Sequence, residues 1–279
     1  MTADRKIQLV RIAHVVYKHK DIETARTFYA DFGFAETTRV GNRTYFRGYG
    51  TDPFVIAAEE GDEDEFLGPA FVVESLDDLE YASKTLPQAT EVYELKDVPG
   101  GGKCVTFRDP VDNWHFPDLK VNYPTLKNRG VNEKQRFTKR PAPVHKLGHF
   151  GLVHDPTGKD VTVFYRINRG KELVDHHVFF FFEGPKYHVH HSSFETHDFD
   201  AQVLGHDWLR HKGYENCWGV GRHIMGSQIF DYWFDPSRFV MEHYVDGDLL
   251  DDSEPTHRTL ASPDSLHVWG PDLPPDFLK

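Results

Sequence analysis

The chain repeats itself, and no other feature restricts its fold as much. RIAHVVY (11–17) has the alternation of a strand. A polar turn leads into DIETARTFYADFGF (21–34), where Ile22, Ala25, Phe28, Tyr29 and Phe32 recur at helical spacing. The second half opens in the same way. KLGHFGLV (146–153) is a strand with one His, and after a polar turn DVTVFYRINRG (160–170) carries the same Phe-Tyr pair. Further on, FVVESLDDL (71–79) resembles SSFETHDFD (192–200), a strand ending in Glu-Ser/Thr before an acidic helix start. Each half closes on a Gly-rich turn, a strand, an Asp-Pro turn and a last strand, in TFRDPVDNWHF (106–116) and YWFDPSRFVME (232–242).

The class this predicts is α+β: a βαβββ unit used repeatedly, its sheets curling around a central cavity. The expected division is an N-terminal module pair over 1–120, a linker rich in Pro, Asn, Lys and Arg over 121–144, and a C-terminal pair over 145–250. A Pro- and Asp-rich tail follows at 251–279. It is expected either as a lid over the cavity or as a segment ordered by packing on a neighbouring domain or subunit.

Laying one half on the other isolates a set of ligand-type residues. On these landmarks His149 matches His14, His191 falls opposite Ala70, and Glu242 falls opposite Phe116. The second copy thus offers two imidazoles and a carboxylate where the first offers His, Ala and Phe. Two His and one carboxylate on one face of a metal leave the other positions open, as in non-heme Fe(II) oxygenases. His190 precedes His191, and strand alternation is expected to send the two side chains to opposite faces, with His191 entering the cavity.

The remaining composition excludes other classes. The net charge of −12, with no basic stripe, argues against a nucleic-acid partner. Cys104 and Cys217 form no CxxC pair, so neither a thiolate zinc site nor a disulfide framework is expected. No stretch approaches the roughly 20 apolar residues of a membrane span, and MTADRKIQLV lacks a secretory apolar run. A cytoplasmic enzyme is the expectation. The 14% aromatic share suits short core strands or a pocket for a flat substrate.

Four segments, LGHFGLV, HHSSFE, GVGRHIMGSQIFDYWFDP and the closing MEHYVDGD, resemble type I extradiol ring-cleaving dioxygenases of the vicinal oxygen chelate superfamily. The resemblance covers residues 8–250. It implies four βαβββ modules in two domains, the N-terminal pair inactive and the C-terminal pair holding Fe(II), less often Mn(II). The implied reaction opens a catecholic ring with O₂, and relatives associate, so a homo-oligomer is expected. A catechol must lose protons to chelate a metal through both oxygens, so a base is needed. His176 and His177 head an apolar strand, and the resemblance points to His177, 14 residues before His191, although alternation alone does not choose between them. His223, nine residues before Tyr232, matches the pair that hydrogen-bonds substrate oxygen in the family. Trp218 stands near the position where some members carry an Arg, which puts a carboxylate-bearing substrate in doubt. Two rivals share the fold: a metal-dependent lyase or epimerase of the glyoxalase type, and a metal-free protein that binds an aromatic ligand or drug.

Overall fold

The computed structural model describes residues 5–108, 115–121, 140–154, 160–184, 186–262, 265–275 and 277, with backbone only for 115–121 and 154. The first unit runs β1 (Leu9–His19), α1 (Ile22–Phe32), β2 (Ala35–Val40), β3 (Arg43–Arg47) and β4 (Ile56–Glu60). The second runs β5 (Glu65–Val73), α2 (Leu76–Thr85), β6 (Tyr93–Glu94), β7 (Lys103–Arg108) and β8 (His115–Val121). In the other half come β9 (Val144–His154), β10 (Thr162–Tyr165), β11 (Val174–Asp175) and β12 (Phe179–Glu183). They are followed by β13 (His188–Thr196), α3 (Phe199–Lys212), β14 (Asn216–Arg222), β15 (Ile229–Phe234), β16 (Val240–Val245) and β17 (Leu249–Leu250).

Two mixed sheets result, ordered β2-β3-β4-β1-β5-β8-β7-β6 and β10-β12-β9-β13-β16-β15-β14. In each, the two units meet through their first strands, β1 against β5 and β9 against β13, both antiparallel. The helices begin where short polar side chains satisfy free amides. Asp21, Ser75 and Asp198 accept from the backbone N–H three residues on. α1 and α3 end at Gly33 and Gly213, with φ of 116° and 84°, a left-handed stop that favours glycine.

One apolar core serves both halves. Tyr17 packs on Phe239, Phe34 on Phe194 and Phe28 on Tyr214, with ring centroids 4.7, 4.8 and 5.0 Å apart. Polar contacts cross the same seam. Tyr17 Oη and Ser192 Oγ lie 2.6 Å apart, and Trp208 Nε1 donates to Asp31 at 3.1 Å.

Two expectations from the repeat need correction. Phe164 and Tyr165 are not the counterparts of the helical Phe28 and Tyr29; they lie on β10, which pairs with β12 as β3 pairs with β4. The run Val161-Thr162-Val163 ahead of them is β-branched and favours extended backbone.

The internal alignment was also two residues out beyond the first strand. Val15 pairs with Ile56 as Phe150 pairs with Phe179, which upholds His14 as the counterpart of His149. Yet His14 faces Ala70 where His149 faces Ser193, and Val16 faces Gly68 where Gly151 faces His191. His191 therefore matches Gly68. Ala70 pairs with Asp118 as Ser193 pairs with Glu242, so Asp118 and not Phe116 holds the place of Glu242. The helix caps give the true offset: Ser75 and Asp198 are equivalent, whereas the Glu-Ser and Glu-Thr pairs are not. Most of the linker expected at 121–144 lies outside the described residues.

Candidate metal centre

His149 on β9, His191 on β13 and Glu242 on β16 come from three neighbouring strands of one sheet. His149 Nε2 lies 3.0 Å from His191 Nε2, and a single oxygen of Glu242 lies 3.2 and 3.3 Å from the two nitrogens. All three are buried. Among the described residues, neither carboxylate oxygen of Glu242 has a hydrogen-bond partner of acceptable geometry, and His149 Nδ1 has none either.

Nitrogen and oxygen donors bind first-row divalent ions at roughly 2.0–2.2 Å. Cis neighbours around one octahedral ion therefore stand about 3 Å apart, which is the spacing of these three atoms. A buried carboxylate without donors is costly unless a cation faces it. The donor set fits a divalent metal. Burial by itself would push the Glu242 carboxyl up, but His149 and His191 beside it outweigh that and hold it well below the usual range. The side chain is therefore an anion, ready to ligate.

A cavity opens beside the triad, lined by Phe164, Phe180, Phe182, Met225, Leu266 and Phe277. The expected acid–base residues reach it unequally. His177 lines the cavity, with its ring centroid 4.1 Å from that of His149. His176 stands behind it, Nδ1 to Nδ1 at 3.0 Å, and is absent from the wall. Burial, then the neighbouring imidazoles of His149 and His176, push His177 well below the ordinary histidine range, so it is neutral at neutral pH.

His223 and Tyr232 also line the cavity and contact each other, Nε2 to Oη at 2.8 Å. His223 Nδ1 lies 2.7 Å from the carbonyl of Leu266, which can only accept, so the ring proton sits on Nδ1. Nε2 is then the acceptor, and the Tyr232 hydroxyl donates to it. Burial lowers His223 to about 4, which keeps this tautomer neutral.

Strand alternation fails at the His pair. The β9–β13 register shifts between Val189 and His191, and the irregularity turns His190 toward the cavity as well. His190 Nδ1 lies 2.8 Å from His191 Nδ1. Nothing in the sequence marks this bulge. The tail joins the site too: Trp218 Nε1 donates to Pro271 O at 2.9 Å, Arg222 bridges Trp269, and Leu266 and Phe277 complete the wall.

Known proteins share sequence and fold with this chain. The sequence model of the Glyoxalase/Bleomycin resistance protein/Dioxygenase superfamily matches residues 11–116. Metapyrocatechase 2 of Cupriavidus necator is 26% identical over 197 residues, which cover 70% of this chain and 58% of that relative. Among solved structures, the Mn(II)-bound glyoxalase from Novosphingobium aromaticivorans superposes with a TM-score of 0.84 at 23% identity, covering 98% of this chain and 95% of its own. Homoprotocatechuate 2,3-dioxygenase from Brevibacterium fuscum, complexed with 3,4-dihydroxyphenylacetate, gives 0.81 at 18% identity, covering 99% and 93%. No helix among the described residues is long and apolar enough to cross a membrane. Residues 11–116 thus carry the sequence signature of the Glyoxalase/Bleomycin resistance protein/Dioxygenase superfamily, and the chain shares the fold of the homoprotocatechuate dioxygenase.

Proposed function

We propose that this protein is an extradiol dioxygenase that uses O₂ to open a catecholic ring beside its hydroxyls. His149, His191 and Glu242 would hold Fe(II), with Mn(II) accepted by the same donors. The observation that carries this reading is the convergence of three ligand atoms, 3.0 to 3.3 Å apart, at the side of a cavity walled by aromatic rings. A divalent metal bound there gathers and polarises the catechol oxygens and O₂.

The chain's own residues supply binding and proton handling. The flat walls at Phe164, Phe180 and Phe277 suit an aromatic ring and exclude water, so orientation contributes much of the rate. His177, neutral and buried against His149, is placed to accept the hydroxyl proton of an arriving catechol and to return it later. Tyr232 also lines the cavity, and its one hydroxyl proton, held by His223 Nε2 in the structure, would turn to the substrate oxygen as charge develops there, while Leu266 keeps His223 in place to take it back. The tail from 251 onward, which contributes Leu266 and Phe277 to the wall, acts in this reading as a cover for the cavity.

Oxygen uptake with a panel of catechols tests the reading. The expected result is one O₂ consumed per catechol, with a yellow ring-fission product. Metal-loaded protein that takes up no oxygen but turns over a glyoxalase-type substrate would replace this reading with the lyase one.

A further inference from the structure

Two imidazole nitrogens of the residues lining the cavity have no hydrogen-bond partner among the described residues, His149 Nδ1 on a proposed ligand and His190 Nε2 outside the ligand set. His190 is buried, and its Nε2 has no hydrogen-bond partner among the described residues. The backbone of Phe277 lies nearby but outside hydrogen-bond geometry. Its other nitrogen, Nδ1, faces His191 Nδ1 at 2.8 Å.

Metal ligation fixes which nitrogens carry protons. A His191 that offers Nε2 to a metal must carry its proton on Nδ1 and donate it to an acceptor outside the ligand set. His190 Nδ1 is that acceptor. The His190 proton is then on Nε2, directed away from His191. A buried N–H left without a partner costs as much as a lost hydrogen bond, so the ligand is expected to satisfy it.

The surroundings restrict what that ligand group is. Phe164, Phe180, Phe182, Met225, Leu266 and Phe277 form the wall, and among the described residues no Lys or Arg lines it. Arg238 lines a neighbouring cavity, which shares His190 and Phe277 with this one, and is paired with Glu215 at 2.5 Å. With the metal taken up by Glu242 and the catechol oxygens, a carboxylate on the ring substituent would be stripped of water with no Lys or Arg to meet it, which is unfavourable. A neutral acceptor, such as an ether, ester or ketone oxygen, gains the His190 bond at little desolvation cost.

We infer that His190 is a specificity-determining residue, presenting Nε2–H to a neutral hydrogen-bond acceptor on the ring substituent of an uncharged catechol. The inference rests on the extradiol reading for the catechol itself, and on the triad for the tautomer.

Two substitutions separate the two edges of the imidazole. His190→Asn keeps an acceptor where Nδ1 stood and loses the outer donor. His190→Gln keeps a donor where Nε2 stood and loses the acceptor for His191. Calorimetry with Mn(II) alone comes first, and His190→Gln should weaken the metal roughly 10- to 100-fold while His190→Asn stays near wild type. Anaerobic binding to the Mn(II)-loaded proteins then compares 4-(2-methoxyethyl)catechol, 4-butylcatechol and 3-(3,4-dihydroxyphenyl)propionate. The ether-to-butyl affinity ratio should fall roughly three- to tenfold in His190→Asn and hold in His190→Gln, with the propionate weakest in wild type.

An unchanged ratio in His190→Asn, a propionate that binds tightest, or Mn(II) affinity untouched by His190→Gln would each overturn the inference. Binding that follows the expected pattern without oxygen uptake would uphold it and sink the ring-cleavage reading. No binding of any catechol would sink both.

Discussion

At the scale of single residues, the site divides into groups whose loss should leave different traces. Tyr232→Phe removes one hydroxyl, which donates to His223 Nε2 and is not among the three proposed ligands, so metal content should hold while kcat falls on the order of 10²-fold. Stopped-flow traces of anaerobically loaded protein would check this, and an unchanged kcat would leave Tyr232 as packing. His177→Ala should cost on the order of 10²- to 10⁴-fold in kcat, and His176→Ala far less, because only His177 lines the cavity. Equal losses would mean the pair acts through its Nδ1–Nδ1 contact. The convergence of His149, His191 and Glu242 was legible in the sequence because the second copy of the repeat carries a ligand-type residue at all three places. The choice of His177 was not legible from alternation, since both His precede the strand at Phe179 and the turn sets their directions. His190 was hidden altogether, because a bulge obeys no period.

At the scale of elements, the repeat predicted the strand–helix–strand units well wherever caps and periodicity agreed. It failed in the third unit, where β-branched residues at 161–163 make a strand of a segment read against a helix. It also slipped by two residues at β5 and β8, because identical dipeptides are weaker landmarks than helix caps. The slip leaves the proposed ligand set unchanged but narrows its contrast with the first copy to one residue. The corrected register gives the first copy His14, Gly68 and Asp118, so its missing middle ligand is a glycine. The caps themselves are testable. Asp198→Ala should destabilise by about 1 kcal/mol in a urea melt, since it frees the Ala201 amide. Phe150→Ala should cost about 3–5 kcal/mol, because the ring is fully buried and packs on Phe179 from β12 and near Phe66 and Phe71 of β5. A cost near zero would show that the two halves do not share this core.

At the scale of the whole molecule, the aromatic seam between the halves predicts one cooperative unfolding transition, identical by circular dichroism and by tryptophan fluorescence. Two separated transitions would contradict a common core. A pH dependence belongs to the same scale. Asp235, at the Asp-Pro turn, is pushed up to about 7 by burial, against the pull of the backbone amides of Phe239 and Ser237. Its other oxygen has no partner. The native state thus binds this proton more tightly than the unfolded chain does. Stability should therefore fall as pH rises from the ordinary carboxyl range through about 7, then level off. Asp235→Asn, which keeps the accepting oxygen, should flatten that slope in urea melts at pH 5 and pH 8, and an unaltered slope would assign the effect elsewhere. The account as a whole stands on the triad, and the direct test is anaerobic metal analysis of wild type and Glu242→Ala, followed by oxygen uptake on a catechol. The account predicts near-stoichiometric Fe or Mn and a ring-fission product from wild type, with both lost in the variant. Equal metal and equal oxygen uptake in the two proteins would contradict it.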